Sequence, residues 1–149
     1  MKVLDLNVLL YAVNADGPHH QAARAWLERL LSEDETVGLP WVVLLGFLRI
    51  STHPRVFATP LEPAQAIAVA ESWLERPCVE LLSPGSGHWE LLRELLLASG
   101  TAADLTTDAH LAVLAIERGA ELHSTDTDFA RFGSLRWVNL LQEWDREGA

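Results

Sequence analysis

Lys2-Val3-Leu4-Asp5-Leu6-Asn7-Val8-Leu9-Leu10-Tyr11-Ala12, residues 2–12, sets the frame for the rest of the chain. Lys2 to Asp5 reads as a short buried strand that closes on an acid. Asn7 to Ala12 reads as the opening of a helix, and Gly17-Pro18 breaks the pattern. A strand followed at once by a helix is the first half of a βαβ unit, and the rest of the chain repeats that alternation.

From His19 to about Leu31 the apolar positions Ala22, Ala23, Trp26, Leu27, Leu30 and Leu31 recur at helical spacing. Glu35 to Pro40 fits a second strand. Trp41 to Ile50 is apolar almost all round, which predicts a buried helix, and His53-Pro54 closes it. Pro63 opens a helical run through Ala66, Ile67, Ala70, Trp73 and Leu74, with proline in its first turn. Pro77 ends that run, and Val79 to Leu82 reads as a strand. After the turn cluster Ser83-Pro84-Gly85-Ser86-Gly87 comes a helix with Trp89, Leu92, Leu95 and Leu96, stopped by Gly100. Thr106 or Thr107 fits the cap of the next helix, which carries Ala109, Ala112, Val113 and Ile116 and ends at Gly119. Ala120 to Thr125 is a strand, and Trp137-Val138 fits a last short one. The tryptophans at helical spacing are expected in the core. Strands alternating with helices of about 10–15 residues predict a parallel sheet covered on both faces, an α/β fold. No repeat, low-complexity run or linker interrupts it, so residues 1–149 read as one domain.

Composition narrows the class. No apolar run approaches the roughly 18 residues of a membrane span, and no secretory signal opens the chain. Cys78 is the only cysteine, which excludes an internal disulfide and leaves a thiolate metal site without a partner. A cytoplasmic location is the expectation. Eleven Lys and Arg against 21 Asp and Glu give a net charge of −10, the opposite of the basic face most nucleic-acid binders carry. Either nucleic acid is irrelevant here, or some of the carboxylates enclose divalent cations that invert the local field. The positions of the acids decide.

Asp5 closes the first strand. Asp126 follows the Ala120–Thr125 strand, with Asp128 just beyond it, and Asp108 opens the helix that leads into that strand. A crossover helix runs antiparallel to its strands, so its N-terminus lies at the edge where the strands end. Asp5, Asp108 and Asp126 therefore share one edge, the one where open α/β sheets place ligands. Clustered carboxylates repel, and a proton or a bound cation relieves them. All-oxygen ligands favour Mg²⁺ or Mn²⁺ over zinc. Such an ion suits phosphodiester hydrolysis, because it acidifies bound water and offsets charge on the leaving oxygen. Asn7 and Thr125 are candidates for orienting the ligand carboxylates. Simpler readings stand beside these. Asp108 fits a helix cap as well as a ligand, Asp128 fits an exposed first-turn acid, and His19, His20 and His110 fit packing, capping or surface roles.

Three of these stretches carry a family resemblance. Val3-Leu4-Asp5-Leu6-Asn7-Val8-Leu9-Leu10-Tyr11 resembles the opening motif of PIN-domain nucleases, especially the VapC-type toxins. Leu105-Thr106-Thr107-Asp108-Ala109-His110-Leu111-Ala112 resembles their later acidic motif, and Ser124-Thr125-Asp126-Thr127-Asp128-Phe129 their terminal one. His19–Trp26 and Arg49–Phe57 are similar to the same subgroup, so the likeness runs in order over nearly the whole chain. It implies an α/β/α sandwich around a parallel sheet of about five strands. It also implies a Mg²⁺- or Mn²⁺-dependent endoribonuclease, a homodimer, and inhibition by a cognate VapB-type antitoxin. Carried over by position, Asp5, Asp108 and Asp126 form the catalytic metal set, with Asp128 auxiliary and Asn7 and Thr125 supporting.

One position departs from the pattern. Many PIN domains carry a glutamate in the helix after the second strand, where this chain has Gly46, and no acid occurs between Trp41 and Glu62. A one-metal site, or a second ion recruited with substrate, is the resulting expectation. A haloacid-dehalogenase-like phosphatase also opens with a strand ending in Asp, but it wants an aspartate two residues later, where this chain has Asn7, and a lysine further along, and the only lysine is Lys2. A receiver domain fails for the same want of a lysine. The non-enzyme alternative is a binding module whose acidic pocket accepts an arginine from an antitoxin.

Overall fold

The computed structural model describes residues 1–147. Five strands, β1 (Lys2–Leu4), β2 (Val37–Pro40), β3 (Val79–Leu82), β4 (Glu121–Ser124) and β5 (Arg136–Asn139), form one sheet in the order β3-β2-β1-β4-β5. Every pairing in it is parallel. Seven helices connect and cover it: α1 (Leu6–Val13), α2 (His20–Leu31), α3 (Trp41–Ser51), α4 (Pro63–Leu74), α5 (His88–Ser99), α6 (Thr106–Glu117) and α7 (Leu140–Glu147). The expected α/β/α architecture is present.

The first strand lies in the middle, where Val3 and Leu4 are fully buried, as are Val37 of β2 and Leu122 of β4. From β1 the chain steps outward through β2 to β3, then returns across β1 to β4. With right-handed crossovers, the outward group α1–α4 and the return group α5–α6 cover opposite faces. Packing agrees, since α1 meets α2 and α3, α3 meets α4, and α5 meets α6. The reversal of direction falls between β1 and β4, the switch point at which such sheets open a crevice beyond their strand ends.

Element ends follow local chemistry. Gly100 (φ +71°) and Gly119 (φ +59°) close α5 and α6 in the left-handed region that glycine enters without strain. Pro63 begins α4 where a missing N–H costs nothing.

Four expectations need correction. Helix α3 is not buried all round, because Trp41 and Leu45, one turn apart, are more than half exposed. Trp89 on α5 is exposed as well, whereas Trp26, Trp73 and Trp144 are core. Neither Thr106 nor Thr107 caps α6; Leu105 holds that position and supplies no side-chain bond. Helix α7 has no counterpart in the sequence reading. It is strongly amphipathic, with Leu140 and Trp144 buried and Trp144 packed edge-on near Trp26 and Tyr11.

Candidate metal centre

Asp5 leaves the end of β1 and turns the chain into α1. Its Oδ1 accepts the Leu6 N–H at 2.7 Å, and its Oδ2 accepts the Ser124 hydroxyl at 2.7 Å. Asp5 is 8% exposed. Across the switch point, β4 ends at Ser124 and the chain enters a 3-10 turn, Thr127–Arg131. Asp126 caps that turn by accepting the Asp128 N–H at 2.9 Å. This places the Asp128 carboxylate beside that of Asp126. From the opposite side, the first turn of α6 supplies Asp108.

Asp108, Asp126 and Asp128 each offer an oxygen, and these oxygens lie within 4.8 Å of one another. Asp5 faces the same cavity of about 270 Å³, which Asp5, Asn7, Asp108 and Asp126 line together with an apolar wall that includes Leu6 and Val42. The acids expected on one edge are thus brought together, and Asp128 joins them although it is exposed. Asp108 does not cap its helix.

Electrostatics record the crowding. Burial first, then the charges of Asp126, Asp5 and Asp128, push the Asp108 carboxyl up to about 6 from an ordinary 3.8. Burial also raises Asp5, with Asp126 adding to the effect and the bonds from Ser124 and Leu6 opposing it. A cation relieves all four acids at once. The donors are oxygens throughout, since the histidines nearest in sequence turn elsewhere: His110 to His88, and His123 to the ring of Trp26. The cluster fits a hard divalent ion.

Ser124 ties the site together, and the sequence reading passed over it. Its hydroxyl donates to Asp5 while accepting the Asn7 Nδ2–H at 3.3 Å and the Asp126 N–H at 3.0 Å. One donor and two lone pairs are all in use. Among the described residues, Asn7 reaches the acids only through Ser124, and its Oδ1 also accepts the Thr125 N–H at 3.5 Å. Thr125 takes part through its backbone, and the hydroxyl that matters is its neighbour's. The signal was present in the motif Ser124-Thr125-Asp126: a buried polar residue at a strand end must find partners.

At Gly46 a β-carbon would lie 2.7 Å from Cδ2 of Leu6, the tip of a flexible side chain on α1. On this side the cavity wall, with Leu6, Val42 and Val43, is apolar.

Residues 2–135 match the PIN domain family. The chain belongs to that family. Among its curated relatives, Ribonuclease VapC33 of Mycobacterium tuberculosis is 47% identical over 143 residues, covering 96% of this chain and all of the relative. Ribonuclease VapC37 of the same organism is 44% identical over 137 residues, or 92% of this chain and 95% of the relative. Solved structures share the fold at lower identity. The VapBC2 complex of Rickettsia felis, bound to a promoter DNA fragment, contains a chain with TM-score 0.68 and 20% identity, covering 92% of this chain and 96% of that one. VapBC-1 of nontypeable Haemophilus influenzae gives TM-score 0.65 and 20% identity over 97% and 98%. In this PIN domain the sheet order puts β1 and β4 side by side, so Asp5 and Asp126 face one cavity despite lying at opposite ends of the sequence.

Proposed function

We propose that this PIN-domain protein is a Mg²⁺- or Mn²⁺-dependent endoribonuclease of the VapC type, the toxin half of a toxin–antitoxin pair. The observation that carries the reading is the convergence of Asp108, Asp126 and Asp128 within 4.8 Å at the switch point, above the buried Asp5. Relatives named as VapC ribonucleases, aligned over more than nine-tenths of the chain, support RNA as substrate.

Asp108, Asp126 and Asp128 would hold the ion, with Asp5 beside it. Once bound, a divalent cation supplies positive charge that acidifies water and offsets charge on a phosphate. The chain's own residues do the rest. Ser124 fixes Asp5 and the Asp126 backbone relative to each other, and Asn7 locks that pair to α1. Leu6, Leu10, Val42, Val43 and Leu111 wall the cavity and thin out the water around the acids, which strengthens every charge interaction inside. At a net charge of −10 the protein repels an RNA backbone except where a cation outweighs the acids, so substrate approach and metal occupancy are coupled.

A VapB-type antitoxin is the partner, as in the VapBC complexes that share this fold. Self-association as a homodimer would cover apolar surface such as Trp41 and Leu45 on α3. The place of action is the cytoplasm, where RNA and antitoxin are both at hand, and among the described residues no helix is long and apolar enough to cross a membrane.

The test is RNA cleavage by antitoxin-free protein with Mg²⁺ or Mn²⁺. EDTA and Asp126→Asn should each abolish it while the circular dichroism spectrum stays unchanged. Cleavage that persists in EDTA, at the same rate in wild type and variant, would remove the metal from the reading.

A further inference from the structure

Helix α6 delivers Asp108 to the cavity, yet its start is weakly held. Leu105 at the N-cap makes no side-chain bond, and among the described residues neither Thr106, Thr107 nor Asp108 makes one. Its lead-in passes through Ala103 at φ +38°, a left-handed conformation that a β-carbon disfavours. Apolar packing by Ala109, Leu111, Ala112, Val113, Leu114 and Ala115 seats the helix in the core, and directed bonds add to it.

A half-buried polar chain joins it to α5. His110 Nδ1 lies 2.8 Å from His88 Nε2, and His88 Nδ1 lies 2.5 Å from Glu117 Oε1. Glu117 Oε2 accepts the Gly85 N–H at 2.9 Å and Arg118 Nη1 at 3.3 Å. Glu117 Oε1 accepts from His88 Nδ1, and the other ring nitrogen of His88 shares a hydrogen bond with His110 Nδ1. His110 and Glu117 are two turns apart on one face of α6. His88, 8% exposed on α5, therefore grips α6 at two levels.

We propose that the Glu117–His88–His110 chain is a clamp that sets the rotation of α6, making His88 and His110 positioning residues for Asp108. The proposal rests on the reading of the acidic cluster as a metal centre. A rotation of about 20° moves a carboxylate about 6 Å from a helix axis by about 2 Å, enough to take one ligand out of a shared site. Apolar residues would join α5 to α6 at least as stably, since buried charged groups lose hydration. What a directed chain of hydrogen bonds adds is a fixed angle.

Mn²⁺ affinity, read by electron paramagnetic resonance on the isolated protein, tests this without catalysis. Wild type, Asp126→Asn, Asp108→Asn, His88→Ala and His110→Leu are compared, each with its thermal unfolding curve. Asp126→Asn and Asp108→Asn should lose binding. His88→Ala and His110→Leu should fold and bind Mn²⁺ about tenfold more weakly. Imidazole, filling the vacated space, should restore the affinity of His88→Ala but not that of Asp108→Asn. His110→Leu alters a half-buried position and decides the matter if His88→Ala does not fold. Folded histidine variants that bind Mn²⁺ like wild type would overturn the clamp alone. A wild type that binds no Mn²⁺ would overturn the metal reading and the clamp with it.

Discussion

The Ser124 hydroxyl donates to Asp5 Oδ2 at 2.7 Å, joining residues 119 positions apart in sequence. Because β1 and β4 are adjacent parallel strands with Leu4 opposite His123, their ends bring these two side chains together without help from a loop. Ser124→Ala leaves a buried carboxylate oxygen unpaired and frees the Asp126 backbone. The expected loss is about 1.5–3 kcal/mol of stability, the scale for a hydrogen bond to a charged group. RNA cleavage should fall about 10- to 100-fold. Urea unfolding and single-turnover cleavage measure the two effects, and a variant that keeps full activity would sink the tying role.

Asp108 makes the cation-free protein sensitive to pH. Its carboxyl is raised to about 6 in the folded state, so the native protein holds that proton more tightly than the unfolded chain does. The stability it contributes is fully present below the ordinary value of 3.8 and is lost as pH rises through about 6. Asp108→Asn mimics the protonated form at every pH. In EDTA, its unfolding temperature should match wild type below about pH 4, exceed it increasingly as pH rises to about 6, and keep a constant lead above that. Excess Mn²⁺ at neutral pH should reverse the order. A difference that does not change with pH would remove the electrostatic account of this residue.

Asp128→Asn should separate stability from metal binding. Removing one of the clustered charges relieves repulsion, so the EDTA-treated variant should melt no lower than wild type. Its Mn²⁺ affinity should drop about tenfold. Unchanged affinity in a calorimetric titration would return Asp128 to the role of an exposed turn acid.

Restoring the family's glutamate should displace Leu6. Gly46→Glu brings a β-carbon to within 2.7 Å of Leu6 Cδ2, the tip of a flexible side chain, so the cost should be about 1 kcal/mol, the low end for overpacking. Leu6→Ala combined with Gly46→Glu should recover part of that loss. If the double variant is no more stable than Gly46→Glu alone, Leu6 is not the obstacle.

Cleavage products report the attacking group. Attack by water rather than by the ribose 2′-hydroxyl leaves a 5′-phosphate and a 3′-hydroxyl. Mass spectrometry of the fragments checks this, and 2′,3′-cyclic phosphates would contradict it.

The strand–helix alternation and the edge shared by Asp5, Asp108 and Asp126 were legible in the sequence because both follow from period and parallel-sheet geometry. The role of Ser124 was legible only in part: a polar residue at a strand end needs partners, but two of them, Asp5 and Asn7, lie 119 and 117 positions away. Trp41, Leu45 and Trp89 read as core because an apolar helix does not announce which face lacks a neighbour. Helix α7 escaped notice because it follows β5 directly, without a glycine or proline to mark the boundary. The His88–His110 contact joins residues 22 apart on two helices, a relation no local pattern encodes.

The central position of β1 has a consequence during synthesis. The first strand emerges early and can pair with β2, but its other edge stays open until residues 121–124 leave the ribosome. Asp126 and Asp128 emerge later still. The acid cluster therefore forms in one late step, when Asp126 and Asp128 dock beside Asp108 and Asp5.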